Sequence, residues 1–137
     1  MATSAQTTYT APVFQAGRNV GWGSFLWETV SGVPVAGVTT DPIIGWIERV
    51  DTIPGAVHPT NAYDITLKND QGIDVLGGKG ADRSSAVAQM ITPLVGSAYG
   101  EVFVNSKLTL NVSGNTAAGA LGTVKFFFRP HKHGTGR

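Results

Sequence analysis

Hydrophobic and polar positions alternate with a period of two along most of this chain. The clearest case is "AYDITLKND", where Tyr63, Ile65 and Leu67 point one way and Asp64, Thr66 and Lys68 the other. That alternation marks a half-buried strand. "NDQG" then reads as a turn, since Asn and Asp bond their own backbone and Gly takes positive φ freely. "IDVL" follows as the return strand of a hairpin, with Ile73 and Val75 on one face and Asp74 and Leu76 on the other. "WGSFLWETV" alternates from Ser24 onward, and "IIGWIERVDTI" sets Ile43, Gly45, Ile47 and Arg49 against Ile44, Trp46, Glu48 and Val50. Late in the chain Val102 and Val104, then Leu108, Leu110 and Val112, then Gly122 to Arg129, give three more strands.

Between these runs "SGVPVAG" reads as a turn or irregular edge, because Pro34 cannot donate to a ladder. "PGAVHPTN" reads as a loop broken by Pro54, Gly55 and Pro59. "ADRSSAVAQMI" is the one helix candidate, with Asp82 or Ser84 as cap, Ala86, Val87, Met90 and Ile91 on one face, and Pro93 as stop. Seven or so short strands with at most one short helix predict an all-β fold, an antiparallel β-sandwich or barrel of jelly-roll-like form. Residues 1–18, small and polar, predict an extended N-terminal arm, which, where ordered, is ordered by a neighbour. Residues 19–130 then form a single β-domain and residues 131–137 a polar C-terminal tail. Trp46 and Tyr63 are expected in the core.

Composition changes this picture in one respect. Only 14% of the 137 residues are charged, against about 25% in an ordinary soluble domain. A chain so poor in charge and rich in small polar residues suits a protein whose surface is covered by neighbours. The net charge of +1 argues against reliance on phosphate contacts, so no nucleic-acid partner is expected. The chain has no cysteine, which removes disulfides and thiolate chemistry. "MATSAQTTYTAP" does not read as a signal peptide, and the apolar runs fall short of the roughly 20 residues of a membrane helix.

The stretch "NDQGIDVLGGKG" tests three kinds of chemistry. A phosphate-binding loop with Lys79 as its lysine needs glycine at position 73 and serine or threonine at 80, where the chain has Ile73 and Gly80. A calcium loop counted from Asp70 needs glycine sixth and glutamate twelfth, where Val75 and Ala81 stand. What remains is a turn followed by a glycine-rich corner. His131 and His133 form an H-x-H in the tail, and with His58 alone elsewhere they fall short of a metal set. No serine lies in a G-x-S-x-G elbow, and Glu28, Glu48 and Glu101 are scattered. No catalytic residue, cofactor or metal is expected. Three consecutive phenylalanines cannot all face one side of a strand. Phe127, or Phe126 with Phe128, is therefore expected to face a second apolar surface, either a subunit contact or the arm. With Thr8, Tyr9, Val13 and Phe14 of the arm, Phe126, Phe127 and Phe128 make up the candidate interface.

"NAYDITLKNDQGIDVLGGKGADRSSAVAQMITP" followed by "KLTLNVSGNTAAGALGTVKFFF" resembles a group of small structural proteins of tailed bacteriophages. The shared features are the "YD-I-T-L" strand, the turn running into "G-x-D-x-L-x-G", the "A-x-R" step and the closing "L-T-L-x-V" and "G-x-V" pair, over roughly residues 43–128. The resemblance implies a virion component without enzymatic activity. Size, low charge and the arm point within that group to a capsid cement, or decoration, protein on the capsid exterior. Its expected partners are the major capsid protein and itself, as a homotrimer. A head–tail connector or tail adaptor ring, and a host-glycan-binding module using exposed aromatics, are the alternatives.

Overall fold

The computed structural model describes residues 6–14, 21–29, 35–39, 41–115 and 117–130. Among them are eleven strands and no helix: β1 (Gln6–Phe14), β2 (Gly21–Glu28), β3 (Val35–Val38), β4 (Ile43–Pro54), β5 (Asp64–Lys68), β6 (Gln89–Ile91), β7 (Leu94–Val95), β8 (Ala98–Tyr99), β9 (Val102–Ser106), β10 (Thr109–Ser113) and β11 (Leu121–Pro130). All pairings between these strands are antiparallel. The large sheet runs β1-β2-β11-β4. Its long strand β4 takes β9 beside Ile43–Ile47 and β6 beside Val50–Thr52. A small sheet runs β3-β10-β5, and β7 and β8 form a separate hairpin. The large sheet curls into a half-barrel, so the expected all-β architecture of sandwich or barrel type is the one observed.

One buried cluster joins the two sheets. Phe25 and Trp27 of β2 and Val124, Phe126 and Phe128 of β11 share it with Ile65 and Leu67 of β5 and Leu110 and Val112 of β10. The largest rings fit because their cross-strand partners are glycines. Trp27 lies opposite Gly122, and Phe126 opposite Gly23. A Cβ on Gly23 would stand 2.6 Å from the tip of the Phe126 ring, and one on Gly122 would overlap the Trp27 indole. Tyr63, just ahead of β5, closes on Trp27 with ring centroids 5.6 Å apart.

The edges are managed locally, as exposed strand edges must be. Thr7 of β1 donates its hydroxyl to the Ala36 carbonyl of β3 at 3.0 Å, tying the two sheets at one side. On the far side, the outer edge of β5 is taken by the loop that follows it. Val75 N–H donates to Leu67 O at 2.8 Å, Ile65 N–H to Gly80 O at 2.9 Å and Arg83 N–H to Tyr63 O at 2.6 Å.

Several sequence expectations are corrected here. The hairpin turn exists, with Asn69 Oδ1 accepting from the N–H groups of Gln71 and Ile73 at 3.0 Å each. Its return strand does not: after one bridge at Lys68–Asp74 the chain turns inward, burying both Val75 and Leu76 and leaving Ile73 exposed. The helix expected over "ADRSSAVAQMI" is a series of bends ending in β6. Ser84 Oγ accepts from Ala86 and Val87 N–H at 3.1 Å, and Gln89 Oε1 takes Ser84 N–H at 2.8 Å. These side chains supply the backbone with non-helical partners. Ala86, Val87 and Met90 are exposed and Ile91 alone of the expected face is buried, too little to offset the cost of nucleating a short helix. The arm is also partly ordered by its own domain. Gln6–Phe14 pairs with β2, with a register shift between Thr10 and Val13. The tail at 131–137, with His131 and His133, lies outside the described residues.

Candidate interaction face

The outward face of the large sheet carries the most chemistry, and a break in strand alternation creates it. Phe127 of β11 pairs with Arg49 of β4, but Phe128 pairs with Ile47, so Glu48 sits in a bulge. The bulge shifts the phase of β4. Arg49 therefore turns outward beside Trp46, and Val50 turns into the core beside Ile47. Strict alternation places Arg49 with Ile47 and Trp46 with Val50, which is why Trp46 reads as a core residue in the sequence. The structure places Trp46 half-buried on the outer face and Tyr63 fully buried.

On that face cations and rings interleave. The Lys125 ammonium lies 4.9 Å from the Trp22 ring centroid and 5.1 Å from that of Phe127. The Arg49 guanidinium lies 4.1 Å from the Phe127 ring, and Arg129 lies 4.3 Å from the Trp46 ring. Trp46 meets exposed Phe103 of β9 edge-on at 5.0 Å. Arg49 pairs with Asp51 at 3.4 Å, and Arg129 donates to both carboxylate oxygens of Glu101 at 3.0 and 3.1 Å. Each cation–ring contact is worth about 0.5–1 kcal/mol at such exposure. Leu26 and Ile53 extend the apolar part of the face on either side of Thr123.

The expected interface residues divide. Phe127 is on this face. Phe126 and Phe128 are not available to a partner; both point into the domain's own core, Phe126 with no exposure at all. Thr8 is exposed opposite Leu26. Tyr9 points inward, its ring 5.1 Å from Phe25 and stacked 6.4 Å from Phe126. Val13 and Phe14 belong to β1, but their side chains lie outside the described residues. The sequence reading missed Trp22, Lys125 and Arg129 as members of this face, and also Arg49, Trp46 and Phe103, which only the registers of β4 with β11 and β9 bring together.

Burial pushes the Tyr9 phenol up to about 12, with the Asp41 charge adding to the shift. Burial also raises Tyr63. A tyrosine whose folded pKa exceeds its unfolded value of about 10 contributes stability that is complete below pH 10 and is lost above it. Stability is therefore expected to hold through neutral pH and to fall between pH 10 and 12. Tyr9→Phe should flatten part of that fall, as read by urea unfolding at a series of alkaline pH values.

The glycine-rich corner is not an anion cradle, because an acid of the chain already fills it. Asp74 Oδ1 accepts from Leu67 N–H at 3.0 Å and Leu76 N–H at 3.1 Å, and Oδ2 from Gly78 N–H at 2.9 Å. Gly77, at φ +64°, has no room for a side chain, since a Cβ there would overlap the Leu94 carbonyl. Among the described residues no three His, Asp or Glu side chains come together in a form that would hold a metal ion, and His58 is exposed in a loop. Comparison with protein-family models finds no match for the chain, and comparison with curated proteins finds none either.

Proposed function

We propose that this chain is a non-enzymatic structural protein of a virion, a capsid cement protein that stabilises the shell by bridging major capsid protein subunits. The observation that carries the reading is the outer face of the large sheet. It presents Trp22, Trp46, Phe103 and Phe127 together with Arg49, Lys125 and Arg129 on a rigid surface. Tryptophan and arginine are the residue types that dominate the binding energy of protein–protein contacts. A chain with so few charges gives such a face little competition from the rest of its surface. The resemblance of residues 43–128 to tailed-phage structural proteins supplies the virion setting.

The mechanism needs no reacting group. Each copy that covers a junction between shell subunits adds buried area, and separating those subunits then requires breaking the added contacts as well. An interface of about 1,600 Å² is enough for stable association. The glycan-binding reading is less favoured on this face. Sugar stacking needs bare ring faces, and Trp22, Trp46 and Phe127 each already have a cation of the same chain against them.

The test is binding of the purified protein to expanded shells that lack it, imaged by cryo-electron microscopy. The expected result is density repeated over local three-fold or quasi-three-fold positions, with the aromatic face toward the shell. Trp46→Ala and Phe127→Asp should each weaken binding by at least roughly 30-fold, the size of a hot-spot loss of about 2 kcal/mol. A ring at a single vertex of whole virions would move the protein to the neck or tail. Binding that survives both substitutions would remove this face from the contact.

A further inference from the structure

The loop that closes the edge of β5 and the β7–β8 hairpin flank a separate depression of about 240 Å³, open to solvent and lined by Lys79, Arg83, Met90, Ile91, Thr92 and Tyr99. We propose that it is a binding site for a small oxyanion, a phosphate or carboxylate group. This inference is independent of the shell-binding reading.

Two half-buried cations converge on one depression, and neither has an ion-pair partner among the described residues. Asp82, next to Arg83 in the chain, is exposed and pairs with neither cation. Asp64, the other acid nearby, accepts the Asp82 N–H at 2.9 Å. Arg83 spends only part of its fork internally, donating Nε–H and one Nη2–H to Ala81 O at 3.1 and 2.9 Å. A guanidinium has five N–H donors, so three remain. That internal bond fixes the guanidinium in place, which lowers the ordering cost of binding an anion. Lys79 is held over the Tyr99 ring, its ammonium 5.4 Å from the centroid. Thr92 adds a hydroxyl to the wall, and Met90 and Ile91 an apolar side.

The charge of the lining decides the class of ligand. The depression is smaller than the roughly 300–1,000 Å³ of sites for drug-sized molecules. Its polar lining, two cations and one hydroxyl, offers contacts for a single anionic group. The backbone N–H groups of Leu76 and Gly78 are committed to Asp74, so the side chains of Lys79 and Arg83 must supply the recognition.

The test is an NMR titration of ¹⁵N-labelled full chain with sodium phosphate and, separately, sodium acetate, each against sodium chloride at equal ionic strength. The expected result is a saturable shift of the Lys79, Arg83, Thr92 and Tyr99 amides, with a dissociation constant on the order of 1 mM or tighter. Lys79→Gln and Arg83→Gln should each weaken binding about tenfold, and the pair together should abolish it. Saturation by acetate alone assigns the pocket to protein carboxylates, and saturation by phosphate alone to free phosphate. A response that chloride matches, or that the double variant retains while its remaining spectrum stays folded, overturns the proposal.

Discussion

Trp27→Ala is expected to destabilise the domain by about 3–5 kcal/mol, the range for emptying a fully buried aromatic site. Trp27 has no exposed surface, packs against Tyr63 and fills the space left by Gly122 across the strand pair. The surrounding strands are held by ladder hydrogen bonds on both sides, so they cannot collapse into the void. Trp46→Ala is the matched comparison. Its indole is half-buried on the outer face, and its loss should cost about 1–2 kcal/mol. Urea unfolding of both variants reads the difference directly. Equal losses would mean that Trp46 is as deeply buried as Trp27.

Asp74→Ala is expected to cost about 3 kcal/mol, because hydrogen bonds to a charged acceptor are the strong ones and here three depend on one carboxylate. The loss goes beyond the three bonds. Leu67 N–H belongs to β5, so the carboxylate also completes a strand edge, and the loop it organises carries Leu76 into the core. Asp74→Asn should cost less, since one oxygen remains, but its amide would face the Gly78 N–H and lose that bond. Hydrogen exchange supplies the local readout: the Leu67, Leu76 and Gly78 amides should exchange faster in Asp74→Ala. Unchanged exchange at all three would show that the loop holds itself without the carboxylate.

What the sequence made legible is what depends on neighbours in the chain. The alternation of Tyr63, Ile65 and Leu67 identified β5 and its buried face, whereas the run Phe126–Phe128 marked β11 as a strand without telling which of its faces is buried. Asn69 and Gly72 announced their turn through their own backbone chemistry. What was hidden depends on register between distant segments. The bulge at Glu48 answers to β11, and no pattern within "IIGWIERV" reveals where the phase will slip. Arg49 and Phe103 therefore could not be placed beside Phe127 and Trp46. The apolar residues of "SSAVAQMI" misled for a related reason. Spacing alone offered a helical face, but of its four residues only Ile91 is buried.

The position of β11 sets a timetable for the molecule. It is the last of the eleven strands in the chain, yet it lies in the middle of the large sheet, between β2 and β4. A ribosome that has finished β2 must add the residues up to Leu121 before the strand that separates β2 from β4 begins to exist. At about 5–20 residues per second that interval is on the order of 5–20 s. Throughout it β2 lacks its neighbour on one side, and the apolar surface that β11 covers stays open. β1 can pair with β2, and β6 and β9 with β4, before then, but the two halves join only when β11 enters between them, and a truncated product that stops short of β11 should be a target for chaperones and proteases.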